Sequence, residues 1–135
     1  MKKLLILLMT CFILTGCNDK NFEAPLDTIM DNLYEGIDTE GLRKTSVVRH
    51  SELEIETLDN VEYTDILISV PYNREDGNSI ILLRSDNPKD TINQISYRVD
   101  DNAVIKNEGN LIMVVNYYDQ TTQNKIIENF DKLFD

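Results

Sequence analysis

The chain has few of the residues that build covalent or metal-dependent chemistry. Its 135 residues include two cysteines, one histidine and no tryptophan. Cys11 lies inside an amino-terminal apolar run and Cys17 ends that run, so the rest of the chain has no thiol and can form no disulfide. It therefore also lacks a thiol nucleophile and a thiolate metal ligand. We expect packing to stabilise the domain without covalent help.

The single histidine restricts nucleophilic catalysis. A Ser-His-Asp arrangement would have to use His50, and no Gly-x-Ser-x-Gly motif is present to supply the nucleophile. Phosphate-binding glycine loops and His-Glu-x-x-His motifs are absent as well. Acidic residues do lie close together in sequence, at Asp59 and Glu62, Glu75 and Asp76, and Asp100 and Asp101. Because glycosidase carboxylates converge across a cleft from distant chain positions, such neighbours do not predict catalysis, and we expect no enzyme activity.

Clusters of basic residues are also missing. The chain has 13 Lys and Arg against 24 Asp and Glu, and its formal net charge is −11. A body with this charge and no basic patch is repelled by nucleic acid, so we exclude nucleic-acid binding. No cofactor or metal site is predicted, although the acidic turns at 75–78 and 100–102 offer oxygen ligands that calcium could use. Neither turn has the spacing of a known calcium loop, and solvated turns explain both.

The amino terminus has the pattern of a bacterial lipoprotein signal. Two lysines precede an apolar run of about eleven residues, which is shorter than the roughly 18 to 20 needed to span a bilayer. The run ends at Leu14, Thr15, Gly16 and Cys17. This order predicts cleavage between Gly16 and Cys17 and a diacylglycerol on the Cys17 thiol, with acyl chains such as palmitate anchoring the protein. The expected location is the cell membrane, facing outside the cytoplasm.

This interpretation divides the chain into three parts. Residues 1–16 form the signal peptide, residues 17–24 the lipidated cysteine and tether, and residues 25–135 a single domain. Loss of both amino-terminal lysines takes the net charge from −11 to −13. About 119 residues remain, which is enough for one hydrophobic core.

Apolar spacing predicts the elements of the domain. A helix is expected at about 25–36 and another after Asn87 and Pro88, each with apolar residues three and four positions apart. A third is expected at about 121–134, capped by Asp119 or Thr121. Strands are expected at 63–70 and 79–83 around a turn at Asp76-Gly77-Asn78, and at 103–106 and 111–117 around 107–110. The stretch 38–60 permits either an edge strand at 52–56 or a short helix.

The order of these elements is typical of an α+β fold. We expect an antiparallel sheet of about four to five strands with helices packed on one face and the other face more open. Gly77-Asn78 and Gly109-Asn110 each precede an apolar strand, at an offset of 32 residues. This similarity could reflect a duplicated strand-strand-helix unit or the common use of Gly and Asn in turns.

Two segments and the signal carry a family resemblance. The segments are Glu56-Thr57-Leu58-Asp59-Asn60-Val61-Glu62-Tyr63 and Ile127-Glu128-Asn129-Phe130. With the Cys17 signal, they resemble small lipoproteins of low-GC Gram-positive bacteria. Those proteins typically carry a basic, tryptophan-containing segment before their last strands, where this chain has only Tyr97-Arg98-Val99. The resemblance implies location and fold, and it brings no catalytic residues.

Tyrosines give the only sequence indication of a binding surface. Tyrosine suits wet interfaces, and Tyr72, Tyr117 and Tyr118 are the candidate partner-facing residues, since they lie near strand ends. The predicted function is a membrane-anchored, non-catalytic module that binds a protein of the cell envelope through the open sheet face or residues 71–78. The alternative is a lipoprotein that binds a small ligand or a cation such as calcium.

Overall fold

The computed structural model describes residues 21–38, 43–45, 53–70, 73–117 and 119–135. They form an α+β fold around one antiparallel sheet with strand order β1-β2-β3-β5-β4, which confirms the predicted fold class. The helices are α1 (Leu26–Leu33), α2 (Pro88–Ile95) and α3 (Gln120–Lys132), and the strands are β1 (Arg43–Thr45), β2 (Val61–Val70), β3 (Asn73–Ser85), β4 (Val104–Glu108) and β5 (Leu111–Asn116).

The paired parts of strands β3 and β5 are buried on both faces of the sheet. Alternate residues of a strand point to opposite faces, and each of these strands contains an unbroken apolar run, at 80–83 in β3 and 111–115 in β5, so each supplies side chains to two separate cores. Ile80 and Leu82 of β3 face the first core, whereas Ile81 and Leu83 face the second. The predicted open sheet face is therefore wrong, because an unbroken apolar run needs cover on both sides.

The first core lies between the sheet and the two helices nearest the chain ends. Ile29 and Leu33 of α1 pack with Ile126 and Phe130 of α3, and all four are fully buried. Asn129 of α3 joins the helices through polar contacts: its Nδ2 donates to the carbonyl oxygens of Leu33, at 3.0 Å, and Glu35, at 2.9 Å. The Leu33 carbonyl belongs to the last residue of α1 and the Glu35 carbonyl lies just after it, where backbone acceptors lose their helical partners.

The second core lies on the opposite face, under α2 and a turn of the chain. Leu53 and Ile55 flank the start of a 3-10 helix, Ile55–Thr57, and pack with Ile95 against the sheet. The sequence left open whether 52–56 forms an edge strand or a short helix. The part of this segment that the structure describes is a turn followed by a short helix, and not a strand. The strand at the β2 edge of the sheet is β1, which pairs with β2 at positions that include Arg43 and Ser69.

The β2 and β3 hairpin is longer than predicted. The turn expected at Asp76-Gly77-Asn78 is wrong, because β3 begins at Asn73 and includes these residues. The register shifts between the pairs Ile68 with Asn78 and Val70 with Asn73, so β3 accommodates extra residues as a bulge. β5 pairs with β3 only as far as Ser79, which faces Asn116. The hairpin therefore continues beyond the end of β5.

The local helix signals agree with the structure. Asn87 Oδ1 accepts from the backbone N–H of Asp90 at 3.3 Å at the start of α2, and Asp119 Oδ2 accepts from the N–H of Thr122 at 2.9 Å at the start of α3. The turn after α1 contains Gly36 with φ +74°, a backbone conformation that glycine adopts without strain.

The possible duplicated unit is not shown. Residues 32 positions apart lie on opposite faces of the sheet: Ile80 belongs to the first core and Ile112 to the second. The helices that follow the two hairpins, α2 and α3, likewise cover opposite faces. A two-fold relation between neighbouring antiparallel strands would keep equivalent residues on one face.

Candidate interaction site

Most of the residues predicted as sites lie outside the described ranges. Gly16, Cys17, Tyr72 and Tyr118 belong to this group, and the single histidine, His50, for which no site was predicted, also lies outside the described ranges. Within the described ranges, no helix is long and apolar enough to cross a membrane. The signal peptide, the lipidation at Cys17 and a partner-facing role for Tyr72 or Tyr118 stay predictions.

Tyr117 is described, and its predicted partner-facing role is wrong. Only 5% of the residue is exposed, because it follows β5 directly and turns into the first core. Its backbone N–H donates to Gln123 Oε1 at 2.8 Å, which ties the strand end to α3. Burial raises the pKa of Tyr117 to about 12, and the nearby Tyr34 hydroxyl offsets part of this rise. Burial also raises the pKa of Tyr34 well above its ordinary value, and the neighbouring Tyr117 raises it further. Both phenols are neutral and structural.

Tyr97 is the exposed aromatic residue of the described chain. It lies in the 3-10 turn Ser96–Arg98 that continues α2, and 72% of the residue is exposed. The neighbouring Arg98 places its guanidinium carbon 4.9 Å from the centre of the Tyr97 ring, within the range of a cation-π interaction. The sequence already indicated the exposure of Tyr97, because Ile92, Ile95 and Val99 form the apolar stripe that faces the core and Tyr97 lies outside this stripe.

Arg98 connects this turn to a distant part of the chain. Its Nη1 donates to the carbonyl oxygen of Leu53 at 2.7 Å, and its Nη2 lies 3.1 Å from Glu54 Oε2. Glu54 has φ 51° and ψ 37°, in the left-handed region that side chains other than glycine rarely adopt. The buried neighbours Leu53 and Ile55 and the contact with Arg98 hold it there. Strain of this kind is retained only where the surroundings determine the conformation.

A shallow depression lies beside Arg98 at the end of the sheet, and we call it the Arg98 groove. Its floor includes Ile81 and Val114, and its rim includes Asp100, whose Oδ2 accepts from Asn116 Nδ2 at 3.0 Å. The cavity is about 40 Å³, which holds about three water molecules. That is room for one side chain rather than for a cofactor. The groove is lined by Leu53, Ser79, Ile81, Arg98, Val99, Asp100, Ala103, Val114 and Asn116.

The acidic pairs noted in the sequence do not assemble a reactive centre in the described residues. Asp59, Glu62, Asp100 and Asp101 are exposed, and the side chains of Glu75 and Asp76 are outside the description. No three Asp, Glu, His or Cys side chains of the described residues come together where they could hold a metal ion. A polar depression near the start of α2 contains the buried Ser85 and Thr91 hydroxyls, 2.7 Å apart and bonded to each other.

Comparison with protein-family models, with curated proteins and with solved structures yields no match. The features of the chain that bear on function are the geometry of the Arg98 groove and the sequence signal at Cys17.

Proposed function

We propose that the chain is a membrane-anchored, extracytoplasmic lipoprotein that acts as a non-catalytic binding module for a protein of the cell envelope. Anchoring would come from diacylglycerol on Cys17 after cleavage behind Gly16, as the sequence predicts. Binding would use the surface formed by Tyr97 and the Arg98 groove. The main observation in support is the 72% exposure of Tyr97, which is adjacent in sequence to Arg98, a residue that lines the groove.

The arrangement supports binding rather than reaction. An exposed tyrosine supplies a large contact area at a small cost in side-chain entropy, and aromatic residues with arginine commonly dominate binding energy at interfaces. Arg98 is already held by Leu53 and Glu54, so little further ordering is needed when a partner docks. This preorganised pair would anchor the partner beside the groove.

The groove and its charges favour a particular partner chemistry. The cavity accepts one small apolar side chain over Ile81 and Val114. Asp100 and Asp101 are exposed next to it, and the chain as a whole is strongly acidic. A peptide segment with one apolar residue and neighbouring lysine or arginine residues is complementary to both features.

Site-specific photocrosslinking in the host cell tests this proposal. A benzophenone amino acid replaces Tyr97 in one strain and Asn124 in the other; both residues are exposed, and Asn124 lies on α3, which covers the opposite face of the sheet. We expect a discrete protein adduct from position 97 and none from position 124. The adduct should weaken when Asp100 and Asp101, both exposed, are changed to Asn, because the negative charge beside the groove is then lost. Identical adducts from both positions, or none from position 97, would refute the proposal.

Cation binding is the alternative that the sequence left open. The acidic turn at 100–102 lies on the rim of the groove, but Asp100 Oδ2 is already engaged by Asn116. A rise in melting temperature in millimolar calcium, abolished by Asp101→Asn, would support this alternative. We expect no such rise.

A further inference from the structure

The first described residues of the chain are fixed to one end of the sheet. The backbone N–H of Phe22 donates to Asn110 Oδ1 at 2.8 Å, and Asn110 Nδ2 donates back to the Phe22 carbonyl oxygen at 3.4 Å. Asn110 belongs to the turn between β4 and β5. Residues 22–24 were assigned to the tether from the sequence, but these contacts attach them to the domain.

Aromatic packing and an arginine hold the same segment. The Phe22 ring lies 5.3 Å from the ring of Phe134, which in turn lies 5.5 Å from the fully buried ring of Phe130. Arg84 donates a hydrogen bond to the carbonyl oxygen of Ala24. Two of these contacts fix the chain at Phe22 and the third fixes it at Ala24, so any free tether ends before Phe22.

The chain leaves the domain at this same end. Asn21 lines a polar depression together with Ser85, Asp86, Pro88 and the turn at Gly109 and Asn110. These residues mark the carboxyl end of β3, the start of α2 and the turn between β4 and β5. We call this part of the molecule the terminal end.

The covalent distance from the predicted anchor to the terminal end is short. Five residue steps separate Cys17 from Phe22, and a fully extended chain spans at most about 18 Å over that length. By contrast, β3 runs twelve steps from Ser85 to Asn73, which is about 40 Å of strand. The tether is therefore shorter than the sheet. It can therefore hold the terminal end close to the bilayer, but it is too short to hold the far end of the hairpin equally close.

We propose that the terminal end faces the lipid surface within one tether length, and that the Arg98 groove and the β2 and β3 hairpin point away from it. This inference rests on the proposed lipid anchor at Cys17. The occupant of the space next to the terminal end is the bilayer that holds the acyl chains. Asp86 and Glu108 are exposed there, so attraction to anionic headgroups does not set the orientation. The short tether sets it.

The position of the groove follows from strand geometry. Glu108 pairs with Leu111 at the terminal end of the β4 and β5 hairpin, whereas Val104 pairs with Val115 at the other end. Val104 is four residue steps from Glu108, or about 13 Å of strand, and Asp101 lies in the turn that precedes Val104 on the groove side. The binding surface is thereby presented to the space outside the membrane.

Headgroup quenching on vesicles tests the orientation. Glu108→Cys and Asp101→Cys are prepared in the full-length, lipidated protein; both residues are exposed and acidic, and Cys17 is blocked by its lipid. Each is labelled with the same fluorophore and inserted into phosphatidylcholine vesicles that contain a nitroxide on a fraction of the headgroups. We expect quenching at position 108 to exceed quenching at position 101 several-fold.

Two further samples separate the possible failures. Insertion of about twelve Gly and Ser residues after Asp19 gives a flexible tether with a root-mean-square reach of roughly 20 Å or more, and the difference between the two labels should then vanish. The Cys17→Ala protein should fail to float with the vesicles. Flotation of the lipidated protein with equal quenching at both positions would overturn the orientation alone. If flotation does not depend on Cys17, both the anchor and the orientation are overturned.

Discussion

Replacement of Asn129 by alanine should destabilise the domain far more than its polar character suggests. Asn129 is 7% exposed, and its Nδ2 group donates to the Leu33 and Glu35 carbonyl oxygens. It is the polar connection between α1 and α3 across the first core. The alanine variant loses both hydrogen bonds and leaves the buried Leu33 carbonyl without this donor.

The expected magnitude follows from these contacts. Each hydrogen bond contributes about 1 kcal/mol net, and a buried acceptor left unsatisfied costs about 1 to 3 kcal/mol. We expect a loss of about 3 kcal/mol in the free energy of unfolding. For a domain of this size, that corresponds to a fall in melting temperature of about 10 °C.

Urea unfolding of the chain beginning at Asn18, followed by circular dichroism, measures the effect. Asn124→Ala is the matched control because Asn124 is exposed on the same helix. Asn129→Asp is a second test: it keeps the side-chain size but presents acceptors to the two carbonyls, so it should be at least as destabilising at neutral pH. If Asn129→Ala and Asn124→Ala differ by less than about 0.5 kcal/mol, the proposed role of this residue in joining the helices is incorrect.

Two titrations test other parts of the structure. Burial raises the pKa of Tyr117 to about 12 and raises that of Tyr34 further. The contribution of the two neutral phenols to folding stability is therefore complete below the unfolded pKa of about 10, and it is lost as pH rises through the folded pKa. We expect unfolding to accompany their ionisation, measured as the difference in near-ultraviolet absorbance between the wild type and a variant with phenylalanine at both positions; reversible ionisation without unfolding would contradict their burial. Hydrogen bonds from the side chain and backbone of Thr122 lower the pKa of Asp119, so its contribution is present above the unfolded pKa of about 3.9 and declines as pH falls through the lower folded value. The difference in urea midpoint between the wild type and Asp119→Ala should therefore be constant from neutral pH to about pH 5 and narrow below about pH 4, whereas a difference unchanged to pH 2 would show that the charge of the cap is irrelevant.

Local signals were sufficient to predict most elements. The Asn87 and Asp119 caps and the glycine turn after α1 act through contacts within a few residues, and the sequence displays them directly. The apolar runs of β3 and β5 were also clear. Their continuity was the available sign that both faces of the sheet are covered, because an open face requires polar residues at alternate positions.

Apart from the exposure of Tyr97, the proposed interaction surface depends on contacts that sequence spacing does not reveal. Arg98 and Leu53 are 45 positions apart, and they meet because α2 and the segment around the 3-10 helix Ile55–Thr57 cover the same core. Tyr117 shows the reverse problem: it follows the strand, but the entry into α3 turns it inward. The hairpin was misjudged at Gly77 because bulges and turns use the same residue types.

The first core has a consequence for the order in which the protein can fold. It joins α1, near the beginning of the chain, to α3, whose Asn129 lies 96 residues beyond Leu33. During synthesis, α1 therefore lacks its packing partner across the first core until α3 has left the ribosome. The first core can close only after the chain has been made at least as far as Asn129, so this half of the fold forms late.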